Sequence, residues 1–119
     1  MSVEGIWTSE VYGPFGWDNH GVFIFEKGRV YGGDNRQYTS GTYALSGDQF
    51  EAELTVHYYG PPRTIYGEAT ERFTTTMSGT LKQDVIDAMI GRPSRPEYDL
   101  QIRLTKRMDL DAVETASEG

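Results

Sequence analysis

The chain contains no cysteine. That absence excludes disulfides, thiolate zinc sites and cysteine nucleophiles, and it argues against dependence on an oxidising compartment. Long apolar runs are missing as well. The opening MSVEGIWTSEVYG has no basic segment followed by an apolar stretch, so neither a secretory signal nor a membrane span is expected, and the chain reads as cytoplasmic with no membrane partner. Positive charge is scarce: 11 Lys and Arg stand against 18 Asp and Glu, a formal net charge of -7. Nucleic-acid binding depends on cationic side chains that displace counterions, so no direct nucleic-acid partner is expected. Much of the excess lies at the end. The last 11 residues, from Asp109, carry four acids and no base, which leaves residues 1–108 with 11 bases against 14 acids, a balance of -3. Residues 1–108 read as one domain and 109–119 as a solvated acidic tail.

What is present points to β structure. Aromatics make up 13% of the chain, and Gly, Thr and Tyr are prominent over Leu and Ala, a composition that suits strands. Along DQFEAELTVHYY, Phe50, Ala52, Leu54, Val56 and Tyr58 fall on one face, with Glu51, Glu53, Thr55, His57 and Tyr59 on the other. This period of two marks a half-buried strand. YDLQIRLTK repeats it through Tyr98, Leu100, Ile102 and Leu104, and RFTTTMSGTLK through Phe73, Thr75, Met77 and Leu81. Further strands are expected at Gly5 to Tyr12, Gly21 to Glu26, Arg29 to Tyr31, Tyr38 to Leu45 and Val85 to Ile90, about eight in all. The segment DVIDAMIG also fits a short helix capped by Asp84, but a strand preserves the run of antiparallel returns.

The connections alternate in kind. Lys27-Gly28, Ser46-Gly47-Asp48 and Lys82-Gln83-Asp84 are tight, whereas Gly13 to His20, Gly32 to Gln37, Gly60 to Thr70 and Gly91 to Pro96 are longer and rich in Gly, Pro and aromatics. In an up-and-down meander successive connections lie at opposite ends. The expected fold is therefore an all-β, eight-stranded antiparallel up-and-down barrel with one closed end and one loop-bearing mouth. Gly32-Gly33-Asp34 begins a mouth loop, where backbone freedom suffices to explain the glycines. Loops on a rigid scaffold carry function, and aromatic and Arg side chains dominate binding hot spots. Candidate binding residues at the mouth are Trp17, His20, Asp34, Tyr38, Arg63 and Tyr66, with Phe15 and Trp17 also placed to fold over the opening as a lid.

No reaction chemistry stands out. The two histidines, His20 and His57, lack a third ligand at a recognisable spacing, so no metal site is expected, and Glu51 and Glu53 belong to the polar face of their strand. No nucleophile elbow, P-loop, HExxH or dinucleotide fingerprint occurs, so neither a cofactor nor an enzymatic activity is implied. GVFIFE is apolar on both faces, with Val22 and Ile24 opposite Phe23 and Phe25. One set fills the barrel and the other needs a cover, for which a second subunit held at Phe23 and Phe25 is the expectation: a homodimer.

Gly5-Ile6-Trp7 resembles the GxW signature that opens the first strand of lipocalin-like, or calycin-like, barrels. There the Trp packs at the closed end against an Arg of the last strand, which implies Gly5 and Trp7 near Arg103 or Arg107. More specifically, GIWTSEVY, GVFIFEKGRVYGGD, YTSGTYAL, FTTTMSGTL and YDLQIRLTKR, in that order, resemble the GrlR-like family, small bacterial proteins named after a negative regulator of type III secretion. The resemblance implies a dimeric lipocalin-like barrel that acts on another protein, a transcriptional regulator, through an acidic turn between strands four and five. The matching turn here is Ser46-Gly47-Asp48-Gln49, with a single acid. Two readings follow: a non-enzymatic protein-binding module, or a carrier that takes an apolar small molecule into the barrel mouth. Phe50, Leu54, Val56, Phe73, Met77, Tyr98, Leu100 and Ile102 as the inward set favour a filled interior and hence the first.

Overall fold

The alternation along Gln49–Tyr58 is also the alternation of its burial, with Phe50, Ala52, Leu54 and Val56 sealed while Glu51 and Glu53 stand in solvent. In a computed structural model of the chain, which describes residues 3–13, 16–59, 64–65, 68–69, 72–91 and 99–110, eight such strands close into a barrel. In chain order the strands are β1 (Gly5–Gly13), β2 (Gly16–Glu26), β3 (Arg29–Gly33), β4 (Gln37–Ser46), β5 (Gln49–Tyr58), β6 (Thr64–Ile65), β7 (Glu68–Ala69), β8 (Arg72–Lys82), β9 (Val85–Gly91) and β10 (Leu100–Met108). The short β6 and β7 pair only with each other, and the other eight form the closed cycle β1-β10-β9-β8-β5-β4-β3-β2. Each barrel strand is antiparallel to its neighbours in the chain, and β10 returns to β1, an up-and-down barrel as expected. Residues 85–91 are a strand, paired with β8 on one side and β10 on the other, with Ile86 and Ala88 buried and Asp87 and Met89 exposed.

The tight turns gather at one end. Lys27 and Gly28 both have positive φ, 51° and 80°, as a type I′ hairpin requires, while Gly47 at 62° and Gln83 at 57° open the other two. The turns are tied to the strands beside them: the Lys27 N–H donates to the Glu4 carboxylate at 2.8 Å, Leu81 N–H to Asp48 C=O at 2.8 Å, and Lys106 N–H to Asp84 C=O at 2.8 Å.

At the opposite end two of the expected long loops are shorter, while those at Gly60 to Thr70 and Gly91 to Pro96 lie largely outside the described residues. Gly13 to His20 is not a loop: β2 begins at Gly16, and Val11 pairs with Asp18, Tyr12 with Trp17 and Gly13 with Gly16. The register slips between Ser9 and Val11, so Asn19 and His20 together face Glu10 in a bulge. Pro and Gly at the tip gave a loop-like composition to residues whose backbones pair. Gly32 and Gly33 likewise belong to β3 rather than to a corner. A Cβ on Gly32 would strike the Val22 carbonyl and, at 2.7 Å, the Phe23 ring, so glycine serves close packing of β3 over β2.

The core has two parts. The larger fills the closed half around Phe25, whose ring meets Trp7, Tyr43 and Phe50 edge-on at 5.8, 5.2 and 5.4 Å. Trp7 donates its indole N–H to the Val3 carbonyl at 2.8 Å, so its single polar atom is satisfied inside. The smaller part, Val56 and Phe73 with Tyr58 and Leu100 against them, lies towards the mouth. Phe23 and Phe25 are therefore interior, at 7% and 1% exposure, and in the barrel they cannot form a subunit interface. The outward set of that strand is Val22 and Ile24, because Phe25 pairs with buried Val30 and Ile24 with exposed Tyr31. Of the expected inward set, Phe50, Leu54, Val56, Phe73, Met77 and Ile102 are buried and Leu100 is half-buried, while Tyr98 lies outside the described residues.

Candidate functional site: the rim of the mouth

Three residues turn the chain from β3 into β4, and their geometry follows from Asp34. Its carboxylate accepts the backbone N–H groups of Arg36 and Gln37 at 2.8 and 3.1 Å, and its own N–H donates to the Gln37 carbonyl at 3.0 Å. A short acid that bonds to the backbone beyond it is the usual device for such a turn. Asp34 is thus chiefly a builder of the rim. The turn is then held to the end of β5 by Tyr59, whose N–H donates to Arg36 C=O at 2.9 Å and whose hydroxyl donates to Asp34 C=O at 2.7 Å.

This clamp fixes an aromatic ladder on the outer surface. Tyr38 and His57 are cross-strand partners on β4 and β5, and their rings stack at 4.8 Å and 8°. Tyr59 lies over the other side of the ladder, 6.4 Å from Tyr38 at 26°. Tyr38 remains 53% exposed and Tyr59 61%. The rings are immobilised by one another and by the turn, yet much of their surface faces water.

A second aromatic group stands on the hairpin of β1 and β2. Tyr12 and Trp17 are cross-strand partners whose rings meet at 5.3 Å. Arg103 of β10 reaches across, its guanidinium carbon 4.3 Å from the Trp17 ring centroid, and is held by Asp87 at 3.2 Å and Glu10 at 3.8 Å. The cation expected beside Trp7 is therefore on Trp17 instead. Arg103 pairs with outward Glu10, so the strand period places it outside the barrel, whereas Trp7 points inside. Arg107 is outside too, donating from Nε to Thr8 Oγ1 at 2.8 Å. The residue opposite Trp7 in register is Lys106, and a Cβ on nearby Gly5 would strike the Met108 backbone carbonyl.

Behind the rim, a narrow interior space of about 60 Å³ separates the two parts of the core. Val11, Leu54, Ile90 and Ile102 give it apolar walls, and the buried hydroxyls of Ser9, Thr39 and Thr75 also line it. The Thr75 hydroxyl donates to the Gly91 carbonyl, so it is engaged by the barrel itself.

Of the residues proposed from sequence, Asp34 and Tyr38 stand together at the β3–β4 turn, Trp17 joins the separate β1–β2 group, and His20 sits exposed in the bulge between them. Arg63 and Tyr66, with Phe15, lie outside the described residues. The sequence did not single out His57 as Tyr38's stacking partner; the signal was present, since both occupy outward positions of adjoining strands. Among the described residues no three His, Asp or Glu side chains are grouped as a metal would need, and no helix is long and apolar enough to cross a membrane. Compared with known proteins, the chain matches no protein-family model and no curated protein.

Proposed function

We propose that this protein is a non-enzymatic, cytoplasmic protein-binding module, related to the GrlR-like regulators, that engages its partner with the aromatic rim of the mouth. The observation that carries this reading is the ladder of Tyr38, His57 and Tyr59, exposed yet locked by the Asp34 turn. Rigid aromatic side chains lose little entropy on binding and are enriched among hot spots. The interior supports the same choice. Its free space of about 60 Å³ is well below the ~150 Å³ of a cavity that accepts benzene, so it cannot enclose a bulky cargo. The charged outward side chains Glu10, Glu51, Glu53, Asp87 and Arg103 suit water rather than lipid.

The partner differs from what an acidic turn would recruit. Asp48 is alone at the β4–β5 turn, and Glu51 and Glu53 are spread along β5, so clustered carboxylates facing a basic surface are not the means of recognition. A transcriptional regulator remains the proposed partner class, bound through the rim. Self-association is proposed through the outer face of β1, β2 and β3, where Ile6, Ile24 and Tyr31 form one cross-strand row and Val22, 46% exposed, lies beside it.

The test is affinity capture from the native host, followed by titration of the captured protein. Tyr38→Ala and Tyr59→Ala should each weaken binding by about 30-fold, the effect of a hot-spot loss of about 2 kcal/mol. Unchanged affinity in variants whose circular dichroism is intact would exclude the rim. Sedimentation at micromolar concentration should give a dimer that Val22→Glu dissociates; a wild-type monomer would remove the self-association.

A further inference from the structure

The outer apolar row of Tyr31, Ile24 and Ile6 does not stop at β1. Met108 of β10 pairs with Ile6, so the row crosses β3, β2, β1 and β10 without a break. Tyr31 is exposed, Ile24, Ile6 and Met108 are half-buried, and exposed Val22 widens the row towards the mouth. A contiguous apolar strip on the outer wall calls for a cover.

Met108 is both the end of this row and the last residue of β10, so the chain leaves the barrel where the row ends. Its first steps stay against the barrel: Asp109 pairs with Lys106 at 2.5 Å, and Leu110 is half-buried. Residues 111–119 follow, outside the described residues. From Met108 to Tyr31 is three inter-strand spacings, about 14 Å. Nine residues reach up to about 30 Å, enough for the crossing. A segment tethered this closely has an effective concentration of about 1 mM or more, so weak contacts suffice to hold it.

The composition of the segment matches the row and its borders. Leu110, Ala112, Val113 and Ala116 are apolar, Asp111, Glu114 and Glu118 are acidic, and no base is present. On the barrel, Arg29 stands beside Tyr31 at one end of the row and Arg107 beside Met108 at the other, both exposed. Among the described residues neither is ion-paired: Arg107 donates from Nε to Thr8, and Glu26 lies opposite Arg29 in register without an ion pair. Two other acids near this face are already engaged, Glu4 by the Lys27 N–H and Asp34 by the N–H groups of Arg36 and Gln37. Each end of the row thus offers a cation to a segment whose only charges are negative.

We infer that residues 111–119 fold back along this row as an intramolecular cover, with Val113 and its apolar neighbours on Ile6, Ile24 and Tyr31 and the acids at Arg107 and Arg29. The cover occupies the face proposed for self-association, so a docked tail and a second copy exclude each other. The docking itself needs no second copy. Where self-association occurs, the tail acts as a brake on it.

The experiment uses the full chain. Because the chain has no cysteine, Ser117→Cys supplies a single thiol for a nitroxide spin label, read on protein with isotope-labelled methyl groups. The label should broaden the methyl signals of Ile6, Ile24 and Val22 far more than those of Thr74 and Thr76, which are exposed on β8 across the cycle from β2. Arg29→Ala combined with Arg107→Ala should reduce that broadening about threefold, the size of effect expected of weak surface ion pairs. Equal broadening of the two sets overturns the docking, and an unchanged double variant overturns its ionic part. Mixing spin-labelled chains with isotope-labelled, spin-free chains separates the copies: broadening as strong in the mixture belongs to a second copy's tail and overturns the intramolecular cover. Sedimentation tests self-association separately. Asp111→Asn, Val113→Ser and Glu114→Gln together should tighten a dimer about threefold by releasing the face. A wild-type monomer with a broadened Ile24 methyl removes self-association and keeps the cover, whereas a dimer without that broadening removes the cover and keeps self-association.

Discussion

Replacing Phe25 tests the arrangement of the whole barrel, because its ring is the point at which β1, β2, β4 and β5 meet. It is 1% exposed and makes edge-on contacts with Trp7, Tyr43 and Phe50. A Phe side chain buries roughly 150–250 Å², which at about 25 cal/mol per Å² corresponds to about 4–6 kcal/mol as an upper bound. Measured Phe→Ala losses in cores, cavity included, run at about 3–5 kcal/mol, and the neighbouring rings bring Phe25→Ala to the top of that range. A domain has only about 5–15 kcal/mol in total, so the variant should be close to unfolding, with a melting temperature lowered by roughly 15–30 °C. Phe25→Leu keeps enough volume to fold and should lose about half as much. Ile24→Ala, one residue away but outward, should cost at most about 1 kcal/mol. Urea unfolding followed by far-ultraviolet circular dichroism reads all three. Repeating it across protein concentrations isolates any share of the Ile24 effect that comes from self-association. A loss for Ile24→Ala equal to or above that for Phe25→Ala would reverse the faces of β2 and refute the packing.

Three further substitutions probe the backbone. Lys27 holds a φ of 51° in the β2–β3 turn, a conformation that costs an ordinary L-residue about 1–2 kcal/mol and Asn less, so Lys27→Asn should raise the urea midpoint by the equivalent of about 0.5–1 kcal/mol. Gly41 and Gly13 form a contrast: a Cβ on Gly41 would run into the Glu53 carbonyl and, at 3.0 Å, the Leu54 backbone, whereas one on Gly13 meets nothing within 4 Å. Gly41→Ala should therefore destabilise by at least about 2 kcal/mol and Gly13→Ala by less than about 0.5 kcal/mol, as thermal unfolding will show.

Strand identity was legible because alternation is a local property. The burial of Phe50, Ala52, Leu54 and Val56 could be read directly from their spacing, whereas the strand over residues 85–91, a segment apolar on both faces that also fits a short helix, followed from the run of antiparallel returns. The tight turns at Lys27-Gly28 and Gly47-Asp48 announced themselves through glycine at positions of positive φ. Composition misled at GPFGWDNH, where a Gly and Pro tip suggested a loop although Trp17 and Asp18 continue the β1–β2 ladder. Within the candidate site, Asp34 and Tyr38 were recognisable as members of a mouth, but His57 as Tyr38's partner was not, since the pair is 19 positions apart and meets only through the β4–β5 register.

The sequence by itself determined that this chain is an up-and-down array of about eight strands with its hairpins at one end, because a period of two and turn chemistry are set by neighbours along the chain. Only the tertiary structure decided which face of GVFIFE points inward, since both faces are apolar and alternation assigns sides without saying which is the core. Closure settled that choice: Phe25 fits among Trp7, Tyr43 and Phe50, and the same closure carried Arg103 outward to Trp17. The end of the β2–β3 pairing at Val22 and Gly33 has the same origin, for where two strands stop pairing depends on how far each extends around the cylinder, which no single segment records.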